Sequence, residues 1–338
     1  MILRNAWYVA AEADEVGRRP LGRILLGEPV VLYRRTDGGA VALEDRCCHR
    51  RAPLHKGEVV GDGLQCGYHG FLFDAAGTCV KVPGLDRAPP REARVRAYPL
   101  CERHRYVWIW MGDPVLADPA LVPDFRTNDD PAWAATGMRL PVAADYLLLV
   151  DNLLDLSHVA FVHRGTIGSD DSAARLSQER GEGFVRLVRE AADFPTPPLY
   201  RKQGFGERVD QRKVITFTPP SHVTIEIVTS ERSAGAARAA RILILNTMTP
   251  EGAGSCHYFW ASTRDFEIGN AEATAFFQRE TARAFDQDKD ILEAQQRSID
   301  LAPAAPEIHV PADIGSVQAR RLLAQRVAAE GASAAAAQ

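Results

Sequence analysis

Two short segments near the N-terminus each place one cysteine close to one histidine. Cys47 and His49 form a C-x-H pair, and Cys66 and His69 form a C-x2-H pair. Two loops of this kind can hold a [2Fe–2S] cluster, with two thiolates on one iron and two imidazoles on the other. Because neutral nitrogens replace two anionic sulfurs, such a cluster has a reduction potential of roughly −150 to +300 mV and is suited to passing single electrons onward.

The alternative for these four residues is a structural Cys2His2 zinc site. Zinc fingers usually pair the two cysteines in one knuckle and the two histidines on a helix, whereas each loop here carries one residue of each type. The spacing therefore favours the iron–sulfur cluster. Cys48, which lies between Cys47 and His49, is interpreted as a spare thiol and not as a fifth ligand.

Length and composition indicate an ordinary globular protein of two domains. The chain has 338 residues, of which 46% are hydrophobic and 25% charged, and its formal net charge is −4. This balance provides no basic surface for nucleic acid. No apolar run approaches the roughly 18 residues that span a bilayer, and the N-terminus lacks the features of a signal peptide. We therefore expect a cytoplasmic protein with no nucleic-acid or membrane partner.

The chain pattern predicts an α+β protein. Short β-branched and aromatic segments separated by turn residues predict an all-β domain over residues 1–118, with the Cys/His loops at one end. Residues 119–338 should form a catalytic domain with helices over about 145–163, 271–299 and 313–329 and a run of strands between the first two. Strands segregated from helices predict an antiparallel sheet covered by helices, in a helix-grip-like arrangement.

A second metal-competent pattern lies in the helix predicted over residues 145–163. Asp155, His158 and His163 form the spacing D-x2-H-x4-H. At about 100° per residue the two histidines are about 140° apart, so they can share one metal only if the helix ends or bulges between them, which we predict. The alternative is that both are ordinary polar residues of a partly exposed helix. A single-electron donor in the same chain favours the metal site, because a donor needs an acceptor.

Two histidines need a carboxylate to complete a 2-His-1-carboxylate site, and the long C-terminal helix offers Asp286, Asp288 and Asp290. The apolar stripe of that helix consists of Phe277, Ala284, Phe285, Ile291, Leu292 and Ile299. Asp288 lies within about 60° of the stripe residues nearest to it, whereas the other two aspartates point about 160° away from it. We therefore predict Asp288 as the third ligand, with a buried salt bridge to an arginine as the alternative.

At these segments the chain resembles the Rieske non-heme iron oxygenases, most closely the short branch typified by vanillate O-demethylase and dicamba monooxygenase. The resemblance is carried by the segments C-x-H-R-x-x-P-L and C-x-Y-H-G-x-x-F, by the N-terminal Arg4-Asn5-Ala6-Trp7-Tyr8 and by Asp288-Lys289. It covers nearly the whole chain. Cys48 departs from the pattern, since the family usually has proline between these ligands.

The resemblance implies two cofactors, a [2Fe–2S] Rieske cluster held by Cys47, His49, Cys66 and His69, and a mononuclear Fe(II) held by His158, His163 and Asp288. It also implies that Asp155 links His158 to the cluster-ligating histidine of a neighbouring subunit, His69, so that the protein works as a homotrimer. Asn152 is a candidate group beside the iron, with a helix-surface amide as the alternative.

The function that the resemblance implies is that of a terminal monooxygenase in aromatic catabolism. Such an enzyme uses O2 to hydroxylate an aromatic substrate; with a methoxylated aromatic acid the hydroxylated methyl group leaves as formaldehyde and a phenol remains. N-demethylation and aryl-methyl hydroxylation stay open. Electrons from NAD(P)H should arrive through a separate reductase, with or without a ferredoxin, because the chain has no flavin or nicotinamide fingerprint.

Two further expectations remain from the sequence. A Rieske electron carrier is the alternative from a different functional class, although it needs only the first domain and leaves the second metal pattern without a purpose. If the chain is an oxygenase, its substrate pocket should lie among the strands of the second domain. We expect Asn246, His257, Trp260 and the segment 164–174 in that neighbourhood.

Overall fold

The computed structural model describes residues 1–164, 167, 174–231 and 239–336, without the side chains of residues 180 and 333–336. It divides into two compact units. One consists of Ile2–Val122 and Thr249–Gly252, and the other of Met1, Pro123–Met248 and Ala253–Gln338. The first unit contains the two Cys/His pairs, and the second contains the D-x2-H-x4-H pattern and the long helix with Asp288.

The first unit is built from three small antiparallel sheets. Its strands are β1 (Trp7–Glu12), β2 (Leu21–Leu25), β3 (Glu28–Arg34), β4 (Ala40–Glu44), β5 (Glu58–Val60), β6 (Gly63–Gln65), β7 (Leu72–Phe73), β8 (Cys79–Lys81), β9 (Leu100–Arg103) and β10 (Tyr106–Trp110). The strand orders are β1-β10-β9, β2-β3-β4 and β5-β6-β7-β8. All five residues of β10 are buried, as expected for an aromatic and β-branched central strand. This unit confirms the predicted all-β architecture.

The two Cys/His loops of the first unit are held together by a close approach of their backbones. Gly57 follows the first loop, and an added Cβ at this residue lies 1.8 Å from the carbonyl oxygen of Gln65 and 2.9 Å from the nitrogen of Gly67. An added Cβ at Gly67 likewise lies 2.6 Å from the carbonyl oxygen of Lys56. The two glycines therefore allow the loops to pack with backbone against backbone.

The second unit contains one seven-stranded sheet and most of the helices. Its strands are β11 (Ala134–Val142), β12 (Arg175–Gly181), β13 (Phe184–Pro195), β14 (Arg208–Thr218), β15 (His222–Glu231), β16 (Ala239–Gly252) and β17 (Ser255–Arg264). The sheet order is β11-β17-β16-β15-β14-β13-β12. The strand pairs between β12 and β16 and the pair β11–β17 are antiparallel.

Two of the five helices of the second unit begin at a residue whose side chain caps the helix. The five helices are α1 (Tyr146–Leu154), α2 (Val159–Val162), α3 (Pro198–Lys202), α4 (Ala271–Leu301) and α5 (Ile314–Ala336). Asp145 caps α1 by accepting a hydrogen bond from the Leu147 amide, and Asn270 caps α4 by accepting one from the Ala273 amide. The antiparallel sheet with helices confirms the predicted α+β class.

One predicted helix is divided. The sequence pattern indicated a continuous helix over about 145–163, but α1 ends at Leu154, a 3-10 turn spans Leu156–His158, and α2 ends at Val162. Asp155 causes the break, because its carboxylate accepts a hydrogen bond from the Ser157 amide and so starts a new turn. The irregularity that the two histidines require is therefore present, and it begins just before His158.

No helix in the described part of the chain combines the length and the low polarity that a bilayer crossing requires. The longest, α4, has polar residues over most of its surface, and its buried residues form a single stripe.

The contact at Gly57 gives a test of the first unit. We expect Gly57→Ala to lower the free energy of unfolding of this unit by about 2–3 kcal/mol, because the new methyl group must displace the backbone of the second loop. Denaturant unfolding of the purified variant measures the change. Gly17→Ala is the matched control, since an added Cβ at Gly17 has no neighbour within 4 Å. Equal stability of the two variants would contradict this packing.

Candidate metal centres

The first candidate centre lies where the two loops of the first unit meet. Cys47 and Cys66 are buried, with 2% of each residue exposed, whereas His49 and His69 are exposed. The two imidazole rings face each other with their centroids 4.7 Å apart, and the His49 ring stacks on Phe71 at 4.8 Å. The structure thus places the two predicted cysteine ligands next to each other inside the unit and the two predicted histidine ligands next to each other at its surface.

The two thiols fit a cationic cluster. Burial and the neighbouring Cys66 thiol outweigh a backbone hydrogen bond from His49 and together raise the pKa of Cys47 to about 11. Two adjacent buried sulfurs can both be thiolates only if a cation lies between them. The donor set of two thiolates and two imidazoles is the one that a mixed-ligand [2Fe–2S] cluster uses. Cys48 is exposed, whereas Cys47 is buried.

The second candidate centre combines the α1–α2 segment with α4. His158 ends the 3-10 turn, His163 follows α2 directly, and Asp288 lies on the buried stripe of α4. One ligand atom from each of these residues lies within 4.8 Å of the other two. Asp288 Oδ1 is 3.4 Å from His158 Nε2 and 3.2 Å from His163 Nε2. Ligands held about 2.1 Å from a metal at right angles are about 3 Å apart, so the spacing fits one ion.

Hydrogen bonds on the far side of each ring orient the two histidines. His158 Nδ1 donates to the backbone carbonyl of Asp155 at 2.6 Å, and His163 Nδ1 donates to Gln287 Oε1 at 2.9 Å. Because both acceptors are carbonyl oxygens, the hydrogen of each neutral ring is on Nδ1 and the lone pair is on Nε2. Both lone pairs then face the Asp288 carboxylate, an arrangement that a metal ion stabilises.

The electrostatics of the triad also favour a bound cation. Burial by itself lowers the pKa of His163, but the hydrogen bond and the negative charge of Asp288 outweigh it and hold that pKa above its ordinary value. The site therefore attracts a positive charge, which is a proton or a metal ion. Asp288 is 6% exposed, whereas Asp286 and Asp290 are exposed, as the helical geometry predicted. Ile291 was wrongly placed on the buried stripe, since it is 50% exposed.

Asn152 and Asp155 both border this centre. Asn152 Nδ2 donates to Asp288 Oδ1 at 3.2 Å and is 3.5 Å from His158 Nε2. Within the chain the Asp155 carboxylate accepts hydrogen bonds from the amide and the hydroxyl of Ser157, and only its backbone carbonyl contacts His158. Asn152 thus steadies the carboxylate of the triad, while Asp155 fixes the orientation of one imidazole.

A cavity of about 110 Å³ opens beside the triad within the second unit. Asn152, His158, His163 and Asp288 form part of its wall, and most of the remaining wall is apolar. The apolar residues come from the sheet, α1, α2, α3 and α4; those on β15 and β16 are Ile225, Ile227, Ile242 and Ile244. A space of this kind suits an apolar or aromatic molecule held next to a metal.

The sequence misjudged which strand residues line this cavity. Asn246, His257 and Trp260 are buried but do not belong to the wall that the described residues form. Asn246 is bonded to the Tyr258 hydroxyl, and Trp260 packs on Phe285. His257 is adjacent to Tyr258 in β17, so the two side chains lie on opposite faces of the sheet. Of the expected segment 164–174, residues 165, 166 and 168–173 lie outside the described part, and Ile167 lines the cavity.

Sequence reasoning also missed three polar residues. Gln287 holds His163, but its position next to Asp288 gave no signal, because the contact depends on how two distant helices pack. Gln211 and Lys213 line the cavity from β14. The burial of these two residues could have been predicted from the sequence. Every second residue of β14 is buried, and they lie on the same face of the strand as Val209, Ile215 and Phe217.

Comparison with known families agrees with both centres. Residues 6–99 match the Rieske [2Fe-2S] domain, and residues 142–329 match the vanillate O-demethylase oxygenase C-terminal domain. The first match contains all four residues of the first centre, and the second contains all three residues of the triad.

Similar proteins match over nearly the full chain. The putative toluene-4-sulfonate monooxygenase system iron-sulfur subunit TsaM2 of Comamonas testosteroni is 37% identical, over 98% of each chain. The vanillate O-demethylase oxygenase subunit of Pseudomonas sp. (strain HR199 / DSM 7063) is 35% identical, over 98% of this chain and 96% of that one. A structure of dicamba monooxygenase with non-heme iron and dicamba superposes with a TM-score of 0.84 at 33% identity, over 98% of this chain and 99% of that one. This chain therefore belongs to the Rieske non-heme iron oxygenases, as an oxygenase component of the vanillate O-demethylase type.

Proposed function

We propose that this oxygenase O-demethylates a methoxylated aromatic acid. The net reaction converts an aryl methyl ether, O2, two electrons and two protons into a phenol, formaldehyde and water. We propose that the electrons come from NAD(P)H through a separate reductase, with or without a ferredoxin, and that the enzyme acts in aromatic catabolism in the cytoplasm. The cluster domain is proposed to end near residue 118.

One observation carries this proposal. His158, His163 and Asp288 converge beside an apolar cavity in a chain that also has a Rieske domain. An electron carrier needs neither the triad nor the cavity. A facial set of two histidines and one carboxylate leaves coordination positions open on one side, where a substrate held in the cavity can lie close by.

The proposed ligands are Cys47, His49, Cys66 and His69 for the cluster, and His158, His163 and Asp288 for Fe(II). When bound, the cluster supplies single electrons, and the mononuclear iron activates dioxygen for hydroxylation of a C–H bond. The protein holds the two imidazoles in the metal-binding tautomer through Asp155 and Gln287. The isoleucines of the cavity bind the ring and exclude water from it.

We further propose that Asp155 works between subunits of a homotrimer. Its carboxylate has two local hydrogen bonds, both from Ser157, and a carboxylate can accept about four. The remaining capacity suits the exposed His69 of a neighbouring copy. Because the Asp155 backbone carbonyl already orients His158, such a contact links the two kinds of ligand through one residue.

Aryl-methyl hydroxylation is the second candidate. The toluene-4-sulfonate monooxygenase relatives, at 36–37% identity, favour it, because their named substrate has a ring methyl group and no methoxy group. Both reactions begin with hydroxylation of a methyl group, and only the attachment of that group differs.

An oxygen-uptake screen separates the candidates. Purified enzyme is supplied with NADH and a surrogate reductase and is offered methoxylated, N-methylated and ring-methylated aromatic acids. O-demethylation predicts formaldehyde and a phenol in a one-to-one ratio from a methoxylated acid. A benzylic alcohol without formaldehyde from a ring-methylated acid instead supports the second candidate. No O2-dependent product from any of these classes would contradict both.

The cluster ligands can be tested with two neighbouring cysteines. We expect Cys47→Ser to lose the visible absorption of the cluster, because a buried thiolate ligand is removed. Cys48→Ser should keep it, because this thiol is exposed and is not assigned as a ligand. The absorption spectrum and the iron content of both variants provide the measurement. Loss of the cluster in both variants, or in neither, would contradict the assignment.

The triad can be tested with two aspartates of the same helix. With about three iron atoms per chain in the wild type, two in the cluster and one in the triad, Asp288→Ala should retain about two and lose turnover. Asp290→Ala should retain all three, because Asp290 is exposed. Iron analysis together with cluster absorption measures the outcome. Turnover by Asp288→Ala at the wild-type rate would rule out this ligand.

The role of Asp155 can be separated from metal binding. We expect Asp155→Asn, whose side-chain oxygen can still accept the hydrogen bond from the Ser157 amide, to retain both kinds of iron and the wild-type affinity for substrate, but to lower O2 uptake about 10–100-fold. Ser157→Ala is the control, since it removes only a local partner of the same carboxylate. Full activity of Asp155→Asn, or loss of iron from it, would argue against a bridging role.

A further inference from the structure

Lysines and arginines without an ion pair are concentrated in the part of the first unit that contains the predicted cluster ligands. Residues 50–94 include seven such side chains, namely Arg50, Arg51, Lys56, Lys81, Arg87, Arg91 and Arg94. All seven are exposed, and none of them forms an ion pair with a described residue. In contrast, Arg4, Arg23 and Arg34 of the same unit each pair with a carboxylate. The chain therefore leaves the positive charge of this segment largely unneutralised.

The two cluster loops themselves contain cations and no carboxylate. Residues 46–57 and 64–73 include no aspartate or glutamate. The carboxylates elsewhere in the segment are Glu58, Asp62, Asp74, Asp86 and Glu92. Asp62 is 3.9 Å from Arg18, which lies outside the segment, and Asp74 accepts hydrogen bonds from two amides of its own turn. The loops are therefore locally positive in a chain whose formal net charge is −4.

Two of the cations belong to the first cluster loop. Arg50 and Arg51 directly follow the exposed predicted ligand His49. Arg51 has a left-handed backbone conformation with a φ of 59°, and its amide donates a hydrogen bond to the Cys47 carbonyl at 2.8 Å. This turn closes the loop, so both guanidinium groups are attached within two residues of an imidazole that is predicted to bind the cluster.

Two more cations lie against the second cluster loop. An added Cβ at Gly67 is 2.6 Å from the carbonyl oxygen of Lys56, which places Lys56 beside this loop. Lys81 is the last residue of β8 and pairs with Leu72 of β7, the strand that follows the loop. We call these two lysines, with Arg50 and Arg51, the cluster-end belt.

An exposed aromatic side chain accompanies these cations in the second loop. Tyr68 is 66% exposed, and the centroid of its ring lies 3.8 Å from that of His69. Tyrosine is enriched in the contact surfaces of proteins, where its ring anchors the partner. Charges around such an anchor steer a partner of opposite charge and fix its orientation. Tyr68 with the belt therefore fits a protein that has an acidic surface.

We propose that the cluster-end belt and Tyr68 bind the protein that delivers electrons to this oxygenase, and that this partner has carboxylates around its own redox centre. In each encounter one electron leaves the reduced centre of the partner and reduces the oxidised [2Fe–2S] cluster. The inference deepens the proposed function, and it rests on that function only in that a separate protein supplies the electrons. The contact proposed above for a neighbouring copy uses His69, so His49 and the adjacent arginines are assigned to the donor.

The charge around the cluster can be measured without a protein partner. The full-length, iron-loaded protein is reduced with dithionite and mixed under anaerobic conditions with hexacyanoferrate(III), a trianion, or tris(phenanthroline)cobalt(III), a trication. Each ion accepts one electron, and stopped-flow absorption of the cluster gives the rate. As the ionic strength increases from about 0.02 to about 0.2 M, we expect the rate with the trianion to fall and the rate with the trication to rise, because salt screens the belt. The net charge of the whole chain predicts the opposite pair of trends.

Substitutions assign these trends to the belt. At low ionic strength the double variant Arg50→Gln, Arg51→Gln should slow the reaction with hexacyanoferrate about 3–10-fold, whereas Arg50→Lys, Arg51→Lys should react as the wild type does. Arg19→Gln is the matched control, because Arg19 is also exposed and has no ion pair with a described residue. Its neighbour Arg18 donates to the Gly61 carbonyl at 2.8 Å, in the turn of the β5–β6 hairpin, and the second loop follows the opposite end of that hairpin.

A reduced plant-type [2Fe–2S] ferredoxin with a net negative charge is the protein probe, since its potential lies below that of a Rieske cluster. We expect the double arginine-to-glutamine variant, the double variant Lys56→Gln, Lys81→Gln and the variant Tyr68→Ala each to lower the second-order rate of cluster reduction about 3–10-fold. The rate at saturating ferredoxin should stay within about twofold of the wild-type rate, because these side chains bind the donor and do not carry the electron. The absorption spectrum of each variant verifies that the cluster is present.

Several outcomes would overturn the proposal. They are the opposite salt trends, unchanged rates in the belt variants, and an equal loss of rate in Arg19→Gln. Smaller oligomers of the belt variants in size-exclusion chromatography, with unchanged electron-transfer rates, would assign the belt to contacts between copies of this chain and would also overturn it. If the ferredoxin reduces the cluster as expected but no O2-dependent product forms from any substrate class, the proposed function fails while this inference stands.

Discussion

A carboxylate buried opposite two imidazoles is the constraint around which the second unit is arranged. Asp288 is 6% exposed, and its oxygen lies 3.2–3.4 Å from the Nε2 atoms of His158 and His163. A carboxylate without a cation in such surroundings destabilises the fold. α4 also holds the segment that leads into α1: Gln296 accepts a hydrogen bond from the Asp145 amide, and Glu293 accepts one from the Ala143 amide. These contacts set the register between the two helices, and hence the position of Asp288 relative to the histidines.

The two candidate centres use burial in opposite ways. In the first unit the thiols are inside and the imidazoles are at the surface, so one side of the cluster faces solvent or a partner protein. In the second unit His163 and Asp288 are buried, and the open side of the triad faces a largely apolar cavity. This difference matches a division of labour in which one centre exchanges electrons with a donor and the other works on a substrate shielded from water.

Local geometry explains which parts of the site the sequence could reveal. Asp288 was separable from Asp286 and Asp290 because the 3.6-residue period of one helix decides which of them is buried. The Cys/His loops were recognisable because their ligands are close in the chain. The break at Asp155 was predicted only in general terms, because it depends on whether a side-chain cap prevails over helix continuation.

Other features depend on packing between distant segments and could not be predicted. Gln287 reaches His163 only because α2 and α4 lie side by side. Asn246 was expected at the pocket, but its side-chain oxygen instead accepts a hydrogen bond from the Tyr258 hydroxyl of the neighbouring strand. Ile291 lies at the edge of the stripe, where a rotation of α4 by a few tens of degrees decides between burial and exposure. The burial of Lys213 could have been predicted from the alternation of buried residues in β14, whereas its position in the cavity wall depends on how the sheet and the helices pack.

Mössbauer spectroscopy of protein loaded with 57Fe tests the central claim most directly, namely that His158, His163 and Asp288 hold an iron separate from the cluster. The account predicts two components in the reduced protein: the cluster, and a high-spin ferrous doublet with about half its intensity, since the cluster has two irons and the triad one. A spectrum that contains the cluster alone, in fully loaded and correctly folded protein, would contradict the account.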